Sequence, residues 1–153
     1  MPVEPNNSPD FALLCAVHQR CFTPGWSEQA FLDLFLISGT EAFIAPDKEG
    51  FGILRIIAAE AEILTLAVLP ECQRRGIGRE IIGSMLEYAR GQGVKSIFLE
   101  VRESNRAARR LYQAFGFSVI SRRRNYYQSP HGVLEDAVVM RKSWHRDCNK
   151  TVI

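Results

Sequence analysis

Apolar residues recur at two different periods along this chain. Four segments carry them three or four positions apart, as on one face of a helix, and predict helices over about 9–22, 28–36, 77–91 and 105–115. Short runs rich in Val, Ile, Leu and Phe predict strands at 41–45, 51–58, 62–69, 95–101, 117–120 and 134–140. The second half alternates strand and helix, so two strand–helix–strand units predict an α/β (α+β) fold with a mixed sheet.

Local signals set the expected ends of these elements. Ser8 is the expected N-terminal cap of the first helix, with Pro9 in the first helical position and Asp10 in the first turn. Ser27 is the expected cap of the second helix. Pro46 to Gly50 has the composition of a hairpin turn between two strands.

Composition narrows the class of protein. A length of 153 residues, 46% hydrophobic and 24% charged, predicts one domain spanning 1–153, with a flexible polar tail from about 143 to 153. The four cysteines form no C-x-x-C pair and no zinc-spaced cluster with histidine, so we expect reduced thiols and no metal. No signal peptide and no apolar run of the ~20 residues needed to span a bilayer is seen, which predicts a cytoplasmic protein with no membrane partner. We expect a monomer or weak dimer.

Charge points to a small anion rather than to nucleic acid. The formal net charge of +2 is too small to indicate bulk nucleic-acid binding. The basic residues are unevenly divided, however, with 15 Arg against 4 Lys. Because the guanidinium group suits bidentate contact with phosphate or carboxylate, this excess mildly favours an anionic ligand.

One hexapeptide says where that anion would bind. Gln73-Arg-Arg-Gly-Ile-Gly78 stands between an apolar strand that ends at Pro70 and a predicted helix. Glycines allow backbone N–H groups to converge, and a helix N-terminus adds partial positive charge, so this loop predicts a phosphate or pyrophosphate site. It is neither a P-loop, which needs G-x-x-x-x-G-K-[ST], nor a complete dinucleotide fingerprint, because Ile81 occupies the place of the third glycine. A tight turn with surface arginines is the alternative.

The hexapeptide resembles the [Q/R]-x-x-G-x-[G/A] loop of the GCN5-related N-acetyltransferase (GNAT) superfamily, whose backbone amides hold the pyrophosphate of acetyl-CoA. The segment from Leu99 to Phe117 is similar to the second half of that family's cofactor site. Further similarities narrow the resemblance, over about residues 10 to 141, to the ribosomal-protein-alanine N-acetyltransferases of the RimI type. They are Leu99-Glu-Val-Arg102 with Ser104-Asn105, Arg123-Arg-Asn-Tyr-Tyr127, Glu135-Asp-Ala-Val-Val-Met140 and Trp26-Ser27.

The resemblance implies the GNAT fold, a mostly antiparallel mixed sheet flanked by about four helices, with splayed central strands holding acetyl-CoA. It implies Glu100 as general base and Tyr112 as the acid that protonates the departing thiolate. The implied cofactor-binding residues are Leu66, Ala67, Val68, Arg74, Arg75, Gly76, Ile77, Gly78, Arg79 and Asn105, with the Val68 N–H as the expected oxyanion donor. The implied substrate-binding residues are Trp26, Tyr126 and Tyr127.

Each assignment has a plainer alternative. Glu100 is a lone acid in an apolar strand, which suits a proton-accepting role, but it could be an edge-strand glutamate facing solvent. Tyr112 could be a core aromatic on the helix stripe, and Asn105 a helix cap. The acids Glu41, Glu135 and Asp136 could complement a basic peptide or be solvated strand ends.

The resemblance implies acetyl transfer to the N-terminal alanine of a small-subunit ribosomal protein, directly in a ternary complex. Transfer to lysine or a small amine is the alternative within the family. A different class is an RNA-contacting module using Arg122 to Tyr127, since arginines beside aromatics suit stacking and phosphate contact. The sequence departs from the family pattern where Gly25 separates Pro24 from Trp26, where Leu69 precedes Pro70, and in 1–7, where the family's first strand has no clear counterpart.

Overall fold

A seven-stranded sheet forms the centre of the computed structural model, which describes residues 2–129 and 131–144. The spatial order of the strands is β1-β2-β3-β4-β5-β7-β6. Their bounds are Pro5–Asn6 (β1), Thr40–Ile44 (β2), Gly50–Ile57 (β3), Glu60–Val68 (β4), Ser96–Arg102 (β5), Ser118–Gln128 (β6) and Leu134–Ser143 (β7). Neighbouring strands are antiparallel except β4 and β5, which run parallel because a helix crosses over between them.

Helices cover both faces of the sheet. The four α-helices of the described residues are α1 (Phe11–Cys21), α2 (Glu28–Phe35), α3 (Ile77–Gly91) and α4 (Arg106–Ala114), and Pro70–Cys72 forms a short 3₁₀ helix. On one face α1 and α2 bury Leu14 and Phe31 against Phe51 and Ile53 of β3. On the other face α3 and α4 cover a larger apolar cluster, in which Met85 is fully buried. The three-layer arrangement with a mostly antiparallel sheet confirms the predicted fold class.

The two parallel strands separate halfway along their length. β4 and β5 pair only from Glu60 with Ser96 to Ile63 with Leu99. Beyond that point β4 stays with β3, while β5 stays with β7 as far as Arg102. The register of β3 against β4 shifts between Ile53 and Leu54, so Leu64 is an extra residue on β4. Because a bulge bends the strand that carries it, this shift turns β4 away from β5 and opens the splay.

Several boundaries differ from the sequence prediction. The cap of α1 is Asp10 rather than Ser8, because the Asp10 carboxylate accepts the N–H of Leu13 and the helix begins after it. Ser27 caps α2 as predicted. A two-residue strand, β1, does pair with β2 in the segment where none was visible.

The last two strands are longer than their apolar runs. β6 extends to Gln128 although most of its residues are exposed, so its length rests on backbone pairing with β7 and leaves no apolar pattern to find. β7 continues to Ser143, and Trp144 N–H donates to the carbonyl of Lys95, so backbone pairing reaches the start of the predicted tail at about 143. The tail residues 145–153, with Cys148, lie outside the described residues. In the described part of the chain, none of the helices is both long and apolar enough to cross a membrane.

Candidate active site

The splay between β4 and β5 opens into a cleft of about 600 Å³. Its floor is the two diverging strands, and its walls are the segment after α1, the start of α4 and the end of β6. The residues that line it include His18, Trp26, Thr65, Leu66, Glu100, Arg102, Asn105, Tyr112 and Tyr127. The cleft therefore gathers side chains from across the chain around an open strand edge.

Backbone groups of β4 face this cleft. The N–H of Leu69 donates to the carbonyl of Glu49 (2.8 Å), which fixes the alternation of the β3–β4 ladder. Residues 65, 67 and 69 then bond to β3, while Leu66 and Val68 direct their N–H and C=O groups toward the splay. The predicted contribution of Ala67 does not fit this geometry, because its backbone faces β3 and its side chain is buried.

The Val68 carbonyl already has partners in its own chain. It accepts the side-chain amide of Gln73 (3.1 Å) and the thiol of Cys21 (3.2 Å). Gln73 thus fastens the glycine loop to the end of β4. On the β4 edge, the Leu66 N–H and C=O and the Val68 N–H remain as the groups aimed at a ligand.

The glycine loop forms a second cleft, of about 510 Å³, at the start of α3. Arg74 (φ 65°) and Gly76 (φ 85°) both have left-handed backbones, and Gly76 caps α3 without any side-chain hydrogen bond. The first-turn N–H groups of α3 therefore point outward together with the positive end of the helix, which suits an anion. A Cβ built on Gly76 would meet no heavy atom within 4 Å, so the glycine serves the backbone conformation rather than a tight contact.

The loop residues divide into those that line this cleft and one that does not. Arg74, Gly76, Ile77, Gly78 and Arg79 line it, and their contact with a cofactor stays a prediction. Arg75 is exposed and is outside the lining. The sequence could not separate these residues, because neighbouring arginines in a loop give no indication of which one turns inward.

Asn105 joins the two clefts. Its side chain caps α4 by accepting the N–H of Ala108 (3.1 Å), so the helix-cap interpretation is confirmed. It also lines both clefts, so the predicted cofactor contact is geometrically open to it as well. Leu66 likewise borders both, so the two clefts adjoin each other, and together they are called the channel from the loop to the splay.

Glu100 lies on β5 where the splay opens. It is on a central strand, so the edge-strand interpretation is wrong. It is also not the unpaired buried carboxylate that its apolar surroundings suggested, because Arg123 Nη1 donates to its Oε1 at 2.8 Å and a quarter of its side chain is exposed. Arg123 stacks in turn on Tyr126, with 4.0 Å between the guanidinium carbon and the ring centroid. The carboxylate is thus fixed by β6, a strand distant in sequence.

Tyr112 lies on α4 across the cleft from β5. It is 5% exposed and packs edge-to-face on Phe117, with 5.6 Å between ring centroids, while still lining the cleft. Burial raises the pKa of Tyr112 above its ordinary value, so the phenol keeps its proton at neutral pH. It is therefore a core aromatic that also borders the cleft, and its role as a proton donor stays a prediction.

The aromatic residues predicted for substrate binding do not all reach the cleft. Trp26 and Tyr127 line it, whereas Tyr126 is outside the lining, beside Arg123. Tyr127 is covered by Arg102 at 4.4 Å from its ring centroid. Burial, and then the nearby charge of Glu100, raise the pKa of Tyr127.

Known proteins with similar sequences and folds identify the family of this chain. A sequence model of the acetyltransferase (GNAT) family matches residues 11–117. This chain belongs to the GNAT family. The ribosomal protein bS18-alanine N-acetyltransferase of Haemophilus influenzae is 34% identical over 139 residues, 86% of this chain and 90% of that protein. The enzyme of the same name from Escherichia coli K12 is 40% identical over 131 residues, 81% of this chain and 84% of that protein.

Solved structures agree with this GNAT assignment. The crystal structure of the ribosomal-protein-S18-alanine N-acetyltransferase from Escherichia coli superposes with a TM-score of 0.85 at 30% identity, covering 95% of this chain and 96% of that one. Arabidopsis thaliana NAA60 in complex with acetyl-CoA has a TM-score of 0.77 at 22% identity, over 92% and 96% of the two chains, and shows the shared fold alone. Among the described residues of this GNAT protein, no group of three or more His, Cys, Asp or Glu could hold a metal ion.

The acidic residues suggested as peptide contacts serve other purposes in this GNAT domain. Glu135 accepts the N–H of Ser104 (2.6 Å). Hydrogen bonding by the side chain of Ser104, and then by its backbone, keeps the pKa of Glu135 below its usual range. Asp136 accepts the N–H of Asn125 (3.0 Å), a residue with φ 53°. Both acids therefore hold backbone of their own chain, the loop after β5 and the irregular part of β6, and Glu41 lies outside the cleft lining.

Sequence reasoning missed three residues of the site. Arg123 holds Glu100, Arg102 covers Tyr127, and His18 lines the cleft from α1. For His18 the available signal was a histidine on the apolar face of a helix, which is more often a core residue. Arg102 and Arg123 both stand in segments that resemble the family, but the sequence assigned them no role, because their partners come from a different strand.

Proposed function

We propose that this protein transfers the acetyl group of acetyl-CoA to the N-terminal alanine of a small-subunit ribosomal protein. The observation that carries the proposal is the channel of two adjoining clefts, one at the start of α3 and one at the splay between β4 and β5. Similarity to ribosomal protein bS18-alanine N-acetyltransferases over more than four-fifths of the chain supports the choice of acceptor. A cytoplasmic location suits such an acceptor.

The residues present fit acetyl-CoA as the co-substrate. In this proposal the α3 N-terminus and the loop from Arg74 to Arg79 hold its pyrophosphate, with Asn105 alongside. The open edge at Leu66 and Val68 offers hydrogen bonds to an extended amide-containing arm, as one strand offers to another. Acetyl-CoA supplies an activated thioester, and the chain's part is to bind, orient and move protons.

The proposed proton transfers use two residues on opposite sides of the cleft. Glu100 accepts the proton of the attacking amine, directly or through one water, and Tyr112 donates to the departing thiolate. The Val68 N–H donates to the oxygen that gains negative charge. An α-amino group with a pKa near 7.7–8.0 needs only a modest base, unlike lysine near 10.4, which favours an N-terminal acceptor.

We propose direct transfer in a ternary complex rather than through an acetyl-cysteine. Cys72 borders the loop cleft but is buried, and burial raises the pKa of its thiol, so little reactive thiolate forms. Cys21 donates its thiol hydrogen to Val68 O, and burial raises its pKa too. Within the described residues, neither thiol is hydrogen-bonded to a base, as an activated nucleophile requires.

The RNA-contacting alternative is weakened by where the arginines point. Arg122 is bound to Glu103 and Arg123 to Glu100, so both guanidinium groups already have carboxylate partners. Tyr127 is turned into the cleft under Arg102 instead of being presented on the surface. This stretch builds the site rather than a separate RNA surface.

The decisive experiment compares acceptors. The recombinant protein is incubated with acetyl-CoA and a peptide carrying the Ala-starting N-terminus of a bacterial bS18, and mass spectrometry locates the acetyl group. Matched controls are the same peptide with a blocked N-terminus but free lysines, and a polyamine. We expect acetylation of the α-amino group alone. Preferential modification of the blocked peptide or the polyamine would instead establish the lysine or small-amine alternative.

A further inference from the structure

Buried polar side chains are few in the described residues, and one of them borders the active cleft. His18, Thr40 and Ser84 are each less than a tenth exposed. Thr40 donates to the carbonyls of Leu34 and Ile37, and Ser84 accepts the N–H of Val3, so both of these fasten the fold. His18 is 3% exposed and lines the cleft, and the proton transfers described above do not use it.

The hydrogen bonds of His18 fix its protonation. Its Nδ1 accepts the backbone N–H of Trp26 at 3.0 Å and therefore carries no hydrogen. Its Nε2 lies 3.2 Å from Thr65 Oγ1, so the Nε2 hydrogen is donated to that hydroxyl. Burial lowers the pKa of His18 to about 4, which keeps the ring neutral at physiological pH. Both ring nitrogens are thus engaged in one defined tautomer.

The two partners of His18 belong to different parts of the cleft, Trp26 to the wall after α1 and Thr65 to the floor formed by β4. Trp26 follows α1 in the segment 22–26, which lines the acceptor end, and its ring stacks on His18 with 4.6 Å between centroids. Thr65 is the residue after the bulge on β4 and immediately precedes Leu66, where the open strand edge begins. One imidazole therefore links the aromatic wall to the strand edge.

The segment before Trp26 is shaped to make this link. A Cβ on Gly25 would come within 2.5 Å of the Cα of Gln19, so only glycine allows the chain to lie this close to α1. The carbonyl of Trp26 also accepts the thiol of Cys15 (3.4 Å). Gly25, which departs from the pattern of the family, thus brings the backbone of Trp26 onto α1, within reach of His18.

We propose that His18 is a positioning residue for the acceptor. Resting on the proposed function, the inference is that the Trp26–His18–Thr65 link holds the aromatic wall in register with the β4 edge. Acceptor binding then depends on His18, whereas acetyl-CoA binding, which uses the α3 N-terminus and the Leu66–Val68 edge, does not.

The test separates the two substrates. His18→Phe keeps a flat ring and removes both hydrogen bonds. We expect the KM for the Ala-starting peptide to rise about tenfold, as expected when a buried hydrogen bond is lost, while the KM for acetyl-CoA stays within about twofold. Thr65→Val removes only the Nε2 partner and should give a smaller rise. His18→Asn, whose Oδ1 can accept the Trp26 N–H, should recover most of the loss.

A stability control distinguishes positioning from general loosening. Leu14 is fully buried on the same helix and lies outside the cleft lining, so Leu14→Ala destabilises the same cluster without touching the link. We expect a lower Tm for this variant with a peptide KM near that of the wild type. A Leu14→Ala variant that reproduces the His18→Phe effect, or parallel rises of both KM values in His18→Phe, would overturn the inference.

A spectroscopic readout works without turnover. The chain has two tryptophans, so a Trp144→Phe background reports Trp26 alone. His18→Phe should change the fluorescence and the acrylamide accessibility of Trp26, and Leu14→Ala should not. Nitrogen NMR should show the His18 hydrogen on Nε2, and a hydrogen on Nδ1 would exclude the link. If the wild-type protein leaves the peptide unmodified, the proposed function fails, yet these two measurements still decide whether His18 positions Trp26.

Discussion

The two ends of the channel are built from the sequence in different ways. The cofactor end consists mainly of one continuous segment, Leu66 to Arg79, in which strand, left-handed turn and helix start follow each other. The acceptor end takes Trp26 from the segment after α1, Glu100 from β5 and Tyr127 from β6. Backbone geometry makes the first end, whereas long-range side-chain contacts hold the second.

This difference determines which positions tolerate substitution. A backbone cradle depends on φ angles and glycines, so most side chains around it can change without loss of the anion site. The acceptor end depends on pairs such as Arg123 with Glu100 and His18 with Trp26, in which changing one partner affects the other. We therefore expect substitutions at the acceptor end to alter turnover and acceptor choice, and substitutions in the loop to alter cofactor affinity.

The largest expected effect comes from the carboxylate at the boundary of the two ends. Glu100→Gln keeps the shape and removes the base, so kcat should fall by about 10²–10⁴ while acetyl-CoA affinity, measured by calorimetry, stays nearly unchanged.

Tyr112→Phe should lower kcat to a comparable or larger degree, because it removes the proposed proton donor. Wild-type turnover in either variant would remove that residue from the proposed mechanism.

The cofactor end could be predicted from the sequence better than the acceptor end. The loop from Gln73 to Gly78 could be placed between strand and helix because its signals are local, and Ser27 could be assigned as a cap for the same reason. The partner of Glu100 could not be predicted, because it lies on β6, an exposed strand whose residues carry no apolar period. The Asp10 cap was missed because Ser8 and Asp10 are both good caps, and only the hydrogen bond to Leu13 decides between them.

Acid should weaken the acceptor end through His18. The groups that face its ring from the neighbouring elements carry no charge: Phe22, Trp26, Phe31, Phe51 and Thr65. The folded protein holds the pKa of His18 at about 4 against 6.5 when exposed, so the unfolded chain binds the proton more tightly. This stability contribution is complete above pH 6.5 and is lost as the pH falls toward 4, by about 3 kcal/mol in total.

Urea unfolding at a series of pH values measures this contribution. The free energy of unfolding of the wild type minus that of His18→Phe should fall as the pH is lowered from 7 to 4, because only the wild type loses the His18 contribution. A difference that stays constant across this range would show that the fold does not hold His18 neutral. The acceptor end would then not be more sensitive to acid than the cofactor end.

The smallest expected effect belongs to the loop itself. Gly76 has φ 85° and open space around its Cβ position, so a side chain there meets no steric barrier and acts through backbone strain and charge. Gly76→Asp adds a negative charge at the anion site, and we expect acetyl-CoA to bind about thirtyfold more weakly, since strain and repulsion each cost about 1 kcal/mol. Gly76→Asn is the matched control, because asparagine tolerates the left-handed region and is uncharged. Calorimetry with acetyl-CoA should show a smaller loss for the Asn variant, and the loss for Asp should shrink at high salt. Equal losses in both variants would mean that the loop binds through its shape alone, and that the positive end of α3 contributes little to holding the pyrophosphate.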